Sequence, residues 1–366
     1  MKQLTFITAV PLNVRSGSGC YVGTTTLVRG IQELGVAVEI ITPRIRLRPF
    51  TARRLAFNEA LRWRSFRTDA TIGIDADGYA IAGRRNSPPH VACIKGVLGD
   101  AVRFEAGTTR ASVAFQARLE AQHAQRADLV ITISRYCADR LEELYGVRNA
   151  VMVPELIDLP FWRSLFHANP FAPDPEKFTV LSVCRFYPRK RLDILLRAAA
   201  RLRGAIPGLE VRIVGDGPER QRLHRLCIEL GVGAIVRWLG DLPVSALATE
   251  YNRADVFCLP SVQEGFGIVF LEAMAAGKAI VASRAAAVPE VVRSGILVEP
   301  DDPKALADGL IALYRDERLR SSLGAAGARD VERFEMTRIA QKFLSEIAVV
   351  TPGIKPSEEQ RVCKPA

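Results

Sequence analysis

The sequence predicts an α/β protein built from two successive Rossmann-like domains. Three observations carry this. Strand-like apolar runs alternate with helix-periodic segments through most of the chain; the alternation restarts after a proline-bearing connector; and 366 residues suit two domains, each able to bury a core. The first unit opens on LTFITAV (4–10), a glycine-bearing loop at 16–19 and a helix to about Leu34. Gly35 and VAVEIIT (36–42) follow. Strand, helix, glycine stop and second strand are the pattern of a parallel sheet. ATIGI (70–74), HVACI (90–94) and DLVITIS (128–134) supply further strands, with a helical stretch at about 109–126 before the last. RYCADRLEELYG then reads as a helix ending at Gly146, and AVMVP (150–154) as a strand.

Residues 155–177 contain several prolines and read as a connector. The second unit runs FTVLSVCRF (178–186), a helix in DILLRAAARLRG, EVRIVG (210–215), a helix in ERQRLHRLCIELG, and IVRWLG (235–240). ADVFCLP (254–260), a short helix through Ala276, AIVAS (279–283), ILVEP (296–300) and a helix from about Lys304 to Tyr314 complete it. The expected division is a first domain over 1–165 and a second over 166–335, with a cleft between them. A tail over 350–366 reads as unpacked.

Composition narrows the function classes. The chain is 48% hydrophobic and 25% charged, which excludes a largely disordered protein. No apolar run approaches the roughly 18–20 residues needed to span a bilayer. The opening MKQLTFITAVPL is expected to be a buried strand rather than a secretory leader, because no small-x-small cleavage site follows it closely. Seven scattered cysteines without a C-x-x-C pair, and four scattered histidines, predict reduced thiols, no disulfide and no metal site. A cytoplasmic location is expected. Net charge is +10, and the stretch from Arg44 to Arg67 holds eight arginines against Glu59 alone. With Leu55, Phe57, Leu61, Trp63 and Phe66 interleaved, it is expected to form a partly helical flank. That flank suits an anionic membrane surface or an acidic acceptor, giving peripheral association at the inner membrane surface; a solvated arginine-rich helix is the plainer reading. No nucleic-acid partner is expected.

The sharpest chemical signal lies in 260–292, PSVQEGFGIVFLEAMAAGKAIVASRAAAVPEVV. Gly265 and Gly267 flank Phe266 in a strand-to-helix loop, where glycines let backbone N–H groups approach an anion at the helix N-terminus. Glu264 precedes that anion seat and Glu272 lies about a turn into the helix. Phosphate would repel both carboxylates, so sugar and ribose hydroxyls are their natural partners. This segment resembles the retaining nucleotide-sugar glycosyltransferases of family 4, glycosyl transferases group 1. Further stretches of similarity come in the family's order: CRFYPRKR (184–191), IVGDGPE (213–219), VRWLG (236–240) and LVEPDDPKALADGL. The resemblance covers about 178–334 closely and the first half in outline.

The resemblance implies a GT-B fold, two facing Rossmann-like domains, and transfer of a hexose from a nucleoside-diphosphate sugar to an acceptor hydroxyl. No cofactor and no metal are implied. It assigns the diphosphate to Arg185 and Lys190, the donor sugar to Glu264 and the ribose to Glu272, with Arg185, Lys190 and Glu264 as the catalytic set. The backbone of Phe266 and Gly267 would meet the phosphates, the Arg237–Leu239 strand end with Trp238 would contact the base, and Gly215 and Ile268 would belong to the donor-binding set. A closing helix over 336–349 would return to the first domain. The chain departs from the family at Cys184 and Arg191, where glycines are usual, and in RAAAV before Pro289, where a glycine loop is usual.

In the first half, Gly17 and Gly19 resemble the family's glycine loop on the acceptor side. Their spacing to Gly23 is one residue longer than G-x-G-x-x-G, and ITPR lacks the acid a nicotinamide enzyme wants for the ribose. Lys95 stands where the family often has a histidine near the donor sugar; it is read equally as an acceptor or phosphate contact and as an ordinary strand-end lysine. His123 reads as structural, and Asp75 and Asp77 as acceptor contacts or turn formers. Two alternatives to a transferase are carried: a non-catalytic nucleotide-sugar-binding protein, and a sugar-nucleotide epimerase.

Overall fold

The computed structural model describes residues 1–11, 14–44, 49–171 and 174–351. Arg46, Arg48, Cys363 and the tail from residue 352 lie outside them. The chain forms two compact units, Met1–Glu155 with the segment from Met336, and Leu156–Glu335.

Unit 1 runs β1 (Gln3–Ile7), α1 (Val14–Glu33), β2 (Ala37–Ile41), α2 (Phe50–Leu61), β3 (Ala70–Ile74) and β4 (His90–Ile94). It continues with α3 (Leu98–Ala101), α4 (Gly107–Arg126), β5 (Leu129–Thr132), α5 (Arg135–Tyr145) and β6 (Val151–Met152). The sheet is parallel, in the order β2-β1-β3-β4-β5-β6, with Leu4 paired to Val38 on one side and to Ala70 on the other. Every residue of β3 and β4 is buried, as expected of parallel strands covered on both faces. Gly17 and Gly19 lie inside α1 rather than in a loop before it. Each costs the helix about 1 kcal/mol against alanine. Buried Leu27, Val28 and Ile31 anchor the later turns, and helix propagation carries the hydrogen-bonding through the glycines.

Unit 2 contains α6 (Leu159–Ala168), β7 (Phe178–Val183), α7 (Leu192–Leu202), β8 (Leu209–Val214), α8 (Arg220–Glu229), β9 (Val236–Gly240) and α9 (Val244–Arg253). Then come β10 (Val256–Leu259), α10 (Ile268–Ala275), β11 (Ala279–Ser283), α11 (Val288–Val291), β12 (Ile296–Val298), α12 (Pro303–Arg315) and α13 (Glu317–Asp330). Its parallel sheet has the order β12-β11-β10-β7-β8-β9. Strand β7 thus lies between β8 and β10, and the order reverses at β7/β10. The carboxyl ends of strands at such a reversal are where open α/β sheets bind ligands.

The expected connector 155–177 contains a helix. Asp158 accepts from Phe161 N at 2.9 Å, and Pro160 sits in the first turn, where its missing N–H costs nothing. Helix α6 packs on α9 and α10, so the units divide at 155/156, ten residues before the boundary read from the sequence. After Glu335 the chain re-enters unit 1 as α14 (Met336–Ala348), which packs on α1. Phe343 stacks on Phe6 with centroids 6.1 Å apart, and Thr351 at the helix end is still buried.

Candidate active site

The carboxyl ends of β7 and β10 carry the residues singled out in the sequence. After β7 the chain passes through Arg185 into a single turn at Pro188–Lys190; after β10 it passes through Ser261 and Glu264 to Gly267. Val262 N donates to Arg189 O at 2.9 Å and ties the two loops together. Across that tie the Lys190 ammonium meets Glu264 Oε1 at 2.5 Å, with the two side chains 13% and 8% exposed. The Ser261 hydroxyl donates to the same oxygen at 2.8 Å. Glu264 Oε2 takes no hydrogen bond from the described residues, and two of the three ammonium donors of Lys190 are likewise unused. One carboxylate oxygen is fixed while the other is open, beside a cation with spare donors.

Gly267 caps α10 at φ 90°, and a Cβ there would lie 2.6 Å from the Phe270 ring. Glycine alone fits. Phe266 is buried and packs edge-on against Phe334, while Ile268 opens the helix half-buried. Glu272 is buried on α10, its Oε2 accepting from the Tyr251 hydroxyl at 2.8 Å, and burial pushes its carboxyl up to about 7.

At the next strands, Gly215 has φ 118°, and a Cβ there would fall 2.0 Å from Cys184 O. Trp238 stacks on His224 at 4.4 Å and meets Phe186 edge-on at 5.7 Å; Leu239 beside it is half-buried. Arg185 Nη1 contacts both oxygens of Asp241, at 3.3 and 3.4 Å. Two residues that break the family's glycine pattern hold left-handed backbone nonetheless: Arg191 at φ 53° and Ala286 at φ 50°. Arg191 Nε pairs with Asp301 at 2.6 Å, and Ala287 N donates to Glu264 O at 3.3 Å.

In unit 1 the polar residues near the carboxyl ends of β3 and β4 are largely paired with one another. Lys95 is buried against both oxygens of Glu155 at 2.8 and 3.0 Å. Burial alone would depress its ammonium, but the Glu155 carboxylate holds it above the ordinary lysine range. Lys95 is therefore a buried ion-pair residue at the end of β4. Gly23 of α1 lies against it, for a Cβ there would sit 2.2 Å from Glu155 Oε2. Asp75 caps Lys95 N at 2.8 Å and accepts from the Cys20 thiol at 3.6 Å. Asp77 is fully buried between Arg54 and Asn58 and accepts from Ala9 N at 2.7 Å, so it is a core residue. His123 is buried too, bridging His90 Nε2 at 2.8 Å and Asp75 O at 2.5 Å, and burial pushes its imidazole down to about 4.

The arginine-rich stretch is not one surface. Arg54 is 3% exposed and held by Asp77, while Phe57, Leu61 and Phe66 pack into the core of unit 1. Arg62 and Arg64 pair with Glu59 and Glu39, and Trp63, 90% exposed, is the most outward aromatic of the described stretch. No helix among the described residues is long and apolar enough to cross a membrane.

Glu155, Ser261, Tyr251 and Asp241 complete these clusters and were not singled out in the sequence. Ser261 carried a signal, since S-x-x-E places a hydroxyl three residues ahead of Glu264; the others carried none.

Residues 166–330 match the family described as Glycosyl transferases group 1. The chain is 32% identical over 225 residues to a GDP-mannose-dependent alpha-(1-6)-phosphatidylinositol monomannoside mannosyltransferase of Mycolicibacterium smegmatis, covering 55% of this chain and 56% of that protein. It is 37% identical over 183 residues to a phosphatidyl-myo-inositol mannosyltransferase of Mycobacterium leprae, covering 48% of each. The chain thus spans about half the length of the curated relatives it matches. The fold is similar to sucrose-phosphate synthase of Thermosynechococcus elongatus, with a TM-score of 0.79 and 20% identity over 96% of this chain and 99% of that one. The two parallel six-stranded sheets are those of the GT-B fold.

Proposed function

We propose, from the premise that residues 166–330 form a glycosyl transferases group 1 domain, that this chain is a retaining glycosyltransferase. It moves a hexose from a nucleoside-diphosphate sugar to an acceptor hydroxyl, with GDP-mannose the first donor to test because the named mycobacterial relative depends on it. The observation that carries the reading is the Lys190–Glu264–Ser261 cluster at the β7/β10 reversal. Lys190 keeps two donors for diphosphate oxygens while holding Glu264, and Glu264 keeps one oxygen for a sugar hydroxyl. Arg185 and Lys190 offset the negative charge that builds on the leaving diphosphate. The acceptor oxygen attacks the anomeric carbon on the face that the diphosphate leaves, through an oxocarbenium-like state. The acceptor proton passes to the departing phosphate oxygen. Neutralisation by these two cations makes the reaction metal-independent in this reading. Glu272 serves the ribose through Oε1, which takes no hydrogen bond from the described residues.

Left-handed backbone at Arg191 and Ala286 supports an active enzyme over a degenerate binding protein, because the turns that glycine would permit are retained. Thermal unfolding with GDP, UDP, ADP and their sugars tests the donor: a ligand at 100 times its dissociation constant adds about 2.7 kcal/mol of stability. Stabilisation by none of them contradicts the reading. Donor turnover without any acceptor, giving an epimerised sugar, favours the epimerase instead. The acceptor is proposed to be reached at an anionic membrane surface through Trp63 and exposed Arg67. Sedimentation with anionic but not neutral vesicles at low salt is the expected result; equal recovery with both contradicts it.

A further inference from the structure

We infer that Asp241 is a positioning residue for Arg185, and thereby a determinant of diphosphate affinity. The inference rests on the donor-site reading above and adds a residue to which the family resemblance assigned no role. Strands β7 and β9 are separated by β8, so Arg185, two residues past β7, reaches Asp241 past the carboxyl end of β8. The chain is shaped to allow this. Gly215 and Gly217, which follow β8, lie against the backbone of Cys184 and Phe186; a Cβ would fall 2.0 Å from Cys184 O in the first case and 2.6 Å from Phe186 N in the second. Gly215 N donates to Gly240 O at 2.8 Å, and Gly240 turns at φ 65°, placing Asp241 immediately past the strand end.

Both Asp241 oxygens fall on the same guanidinium nitrogen, Nη1. Nε and Nη2 take no partner among the described residues, so the contact aims the planar fork without filling it. A long side chain 27% exposed would otherwise sample many rotamers, and each must be given up when it closes on a phosphate. Asp241 removes part of that loss beforehand.

The test is calorimetric titration of GDP, UDP and ADP into five full-length proteins: wild type, Arg185→Ala, Asp241→Ala, Asp241→Asn and the Arg185→Ala/Asp241→Ala double variant. Thermal midpoints confirm that each is folded. Arg185→Ala is expected to weaken the diphosphate that binds by about ten- to a hundredfold. Asp241→Ala should weaken it about three- to tenfold, and Asp241→Asn, which keeps an acceptor oxygen, should recover most of that loss. In the Arg185→Ala background, Asp241→Ala should have no further effect, because Asp241 acts only through Arg185. Wild-type or tighter affinity in Asp241→Ala, failure of Asp241→Asn to recover the loss, or a repeat of the full loss in the double variant overturns the inference alone. If GDP, UDP and ADP all fail to bind the wild type, or Arg185→Ala binds as tightly, the donor-site reading falls and takes this inference with it.

Discussion

At the scale of single residues, the chain keeps backbone shapes where it has given up the residue that makes them cheap. Ala286 holds φ 50° and Arg191 φ 53°. A Cβ in that region costs about 1–2 kcal/mol, offset at Arg191 by its ion pair with Asp301. Ala286 has no such compensation, so Ala286→Gly is expected to stabilise by about 0.5–1 kcal/mol after the added freedom of the unfolded chain is counted. Urea denaturation measures this, and a loss of stability contradicts it. A second residue-scale expectation concerns pH. Glu120 is fully buried, its Oε2 accepting from Leu98 N and the Tyr145 hydroxyl at 2.7 Å, and burial pushes its carboxyl up to about 8. The folded state holds this proton more tightly than the unfolded state, so its stabilisation is present at low pH and lost as pH rises toward 8. His123 works the other way, neutral in the fold and costly to protonate below its ordinary 6.5. Between pH 6.5 and 8 the Glu120 effect acts without that opposition. Acidification across that window should add up to about 2 kcal/mol in the wild type and distinctly less in Glu120→Gln, with Glu272 supplying what remains. Equal slopes for the two proteins would contradict it. What the sequence conceals at this scale is pairing: Lys190 finds Glu264 74 residues away, Arg185 finds Asp241 at 56, and Lys95 finds Glu155 at 60. Residue types near a motif are legible, but partners brought together by sheet order are not.

Among the elements, strands were the more legible. Among the described residues all twelve lie within or beside apolar runs read in the sequence; the inner strands are largely buried on both faces and so mostly hydrophobic, while the edge strands β2, β6, β9 and β12 stay partly exposed. Helices α3, α6, α9, α11 and α13 were not read. The proline in α6 signals a break unless its first-turn position is known, and α13 has a weakly apolar composition (ERLRSSLGAAGARD) that buries only two glycines. The arginine-rich α2 shows the opposite difficulty. Its charge suggests a solvated or membrane-facing surface, yet Arg54 and Asn58 form part of a buried polar network with Asp77. Charge count alone does not show that a guanidinium has a carboxylate waiting inside. Helix α14 was legible from the family crossover and from the near-helical spacing of Ile339, Phe343, Leu344 and Ile347; the structure buries Ile339, Phe343 and Ile347 together with Met336 and Ala340. Phe343 is 1% exposed and stacked on Phe6 of β1, while Met336 and Ala340 close over Gly30 of α1. Phe343→Ala is therefore expected to destabilise by about 3–5 kcal/mol through lost burial and the cavity left behind. Chemical denaturation followed by circular dichroism checks the value; a loss below 1 kcal/mol would show that α14 is not part of the unit 1 core.

For the whole molecule, the proposed function rests on strand order. Two parallel sheets, each with a reversal of order, place loop residues distant in sequence at adjacent carboxyl ends, and in unit 2 those loops bring Lys190, Glu264 and Ser261 together. The two-unit α/β class was legible from alternation and length, and the residues that meet at the β7/β10 reversal were singled out by their ordered resemblance to a family. The base, the sugar and the acceptor are not written in those motifs, because they are set by contacts between side chains and ligand that spacing does not encode. The central claim is that this cluster is a nucleotide-sugar site and not a generic phosphate site. Calorimetry of Glu264→Ala with a free nucleoside diphosphate and with its sugar tests it most directly, using the diphosphate and sugar that stabilise the wild type. Removing Glu264 frees Lys190 from its ion pair while deleting the oxygen proposed to meet the sugar. The account predicts that Glu264→Ala binds the free diphosphate as tightly as the wild type or more tightly, and the intact donor about tenfold or more weakly. Equal loss of affinity for both ligands, or no change for the intact donor, would contradict it.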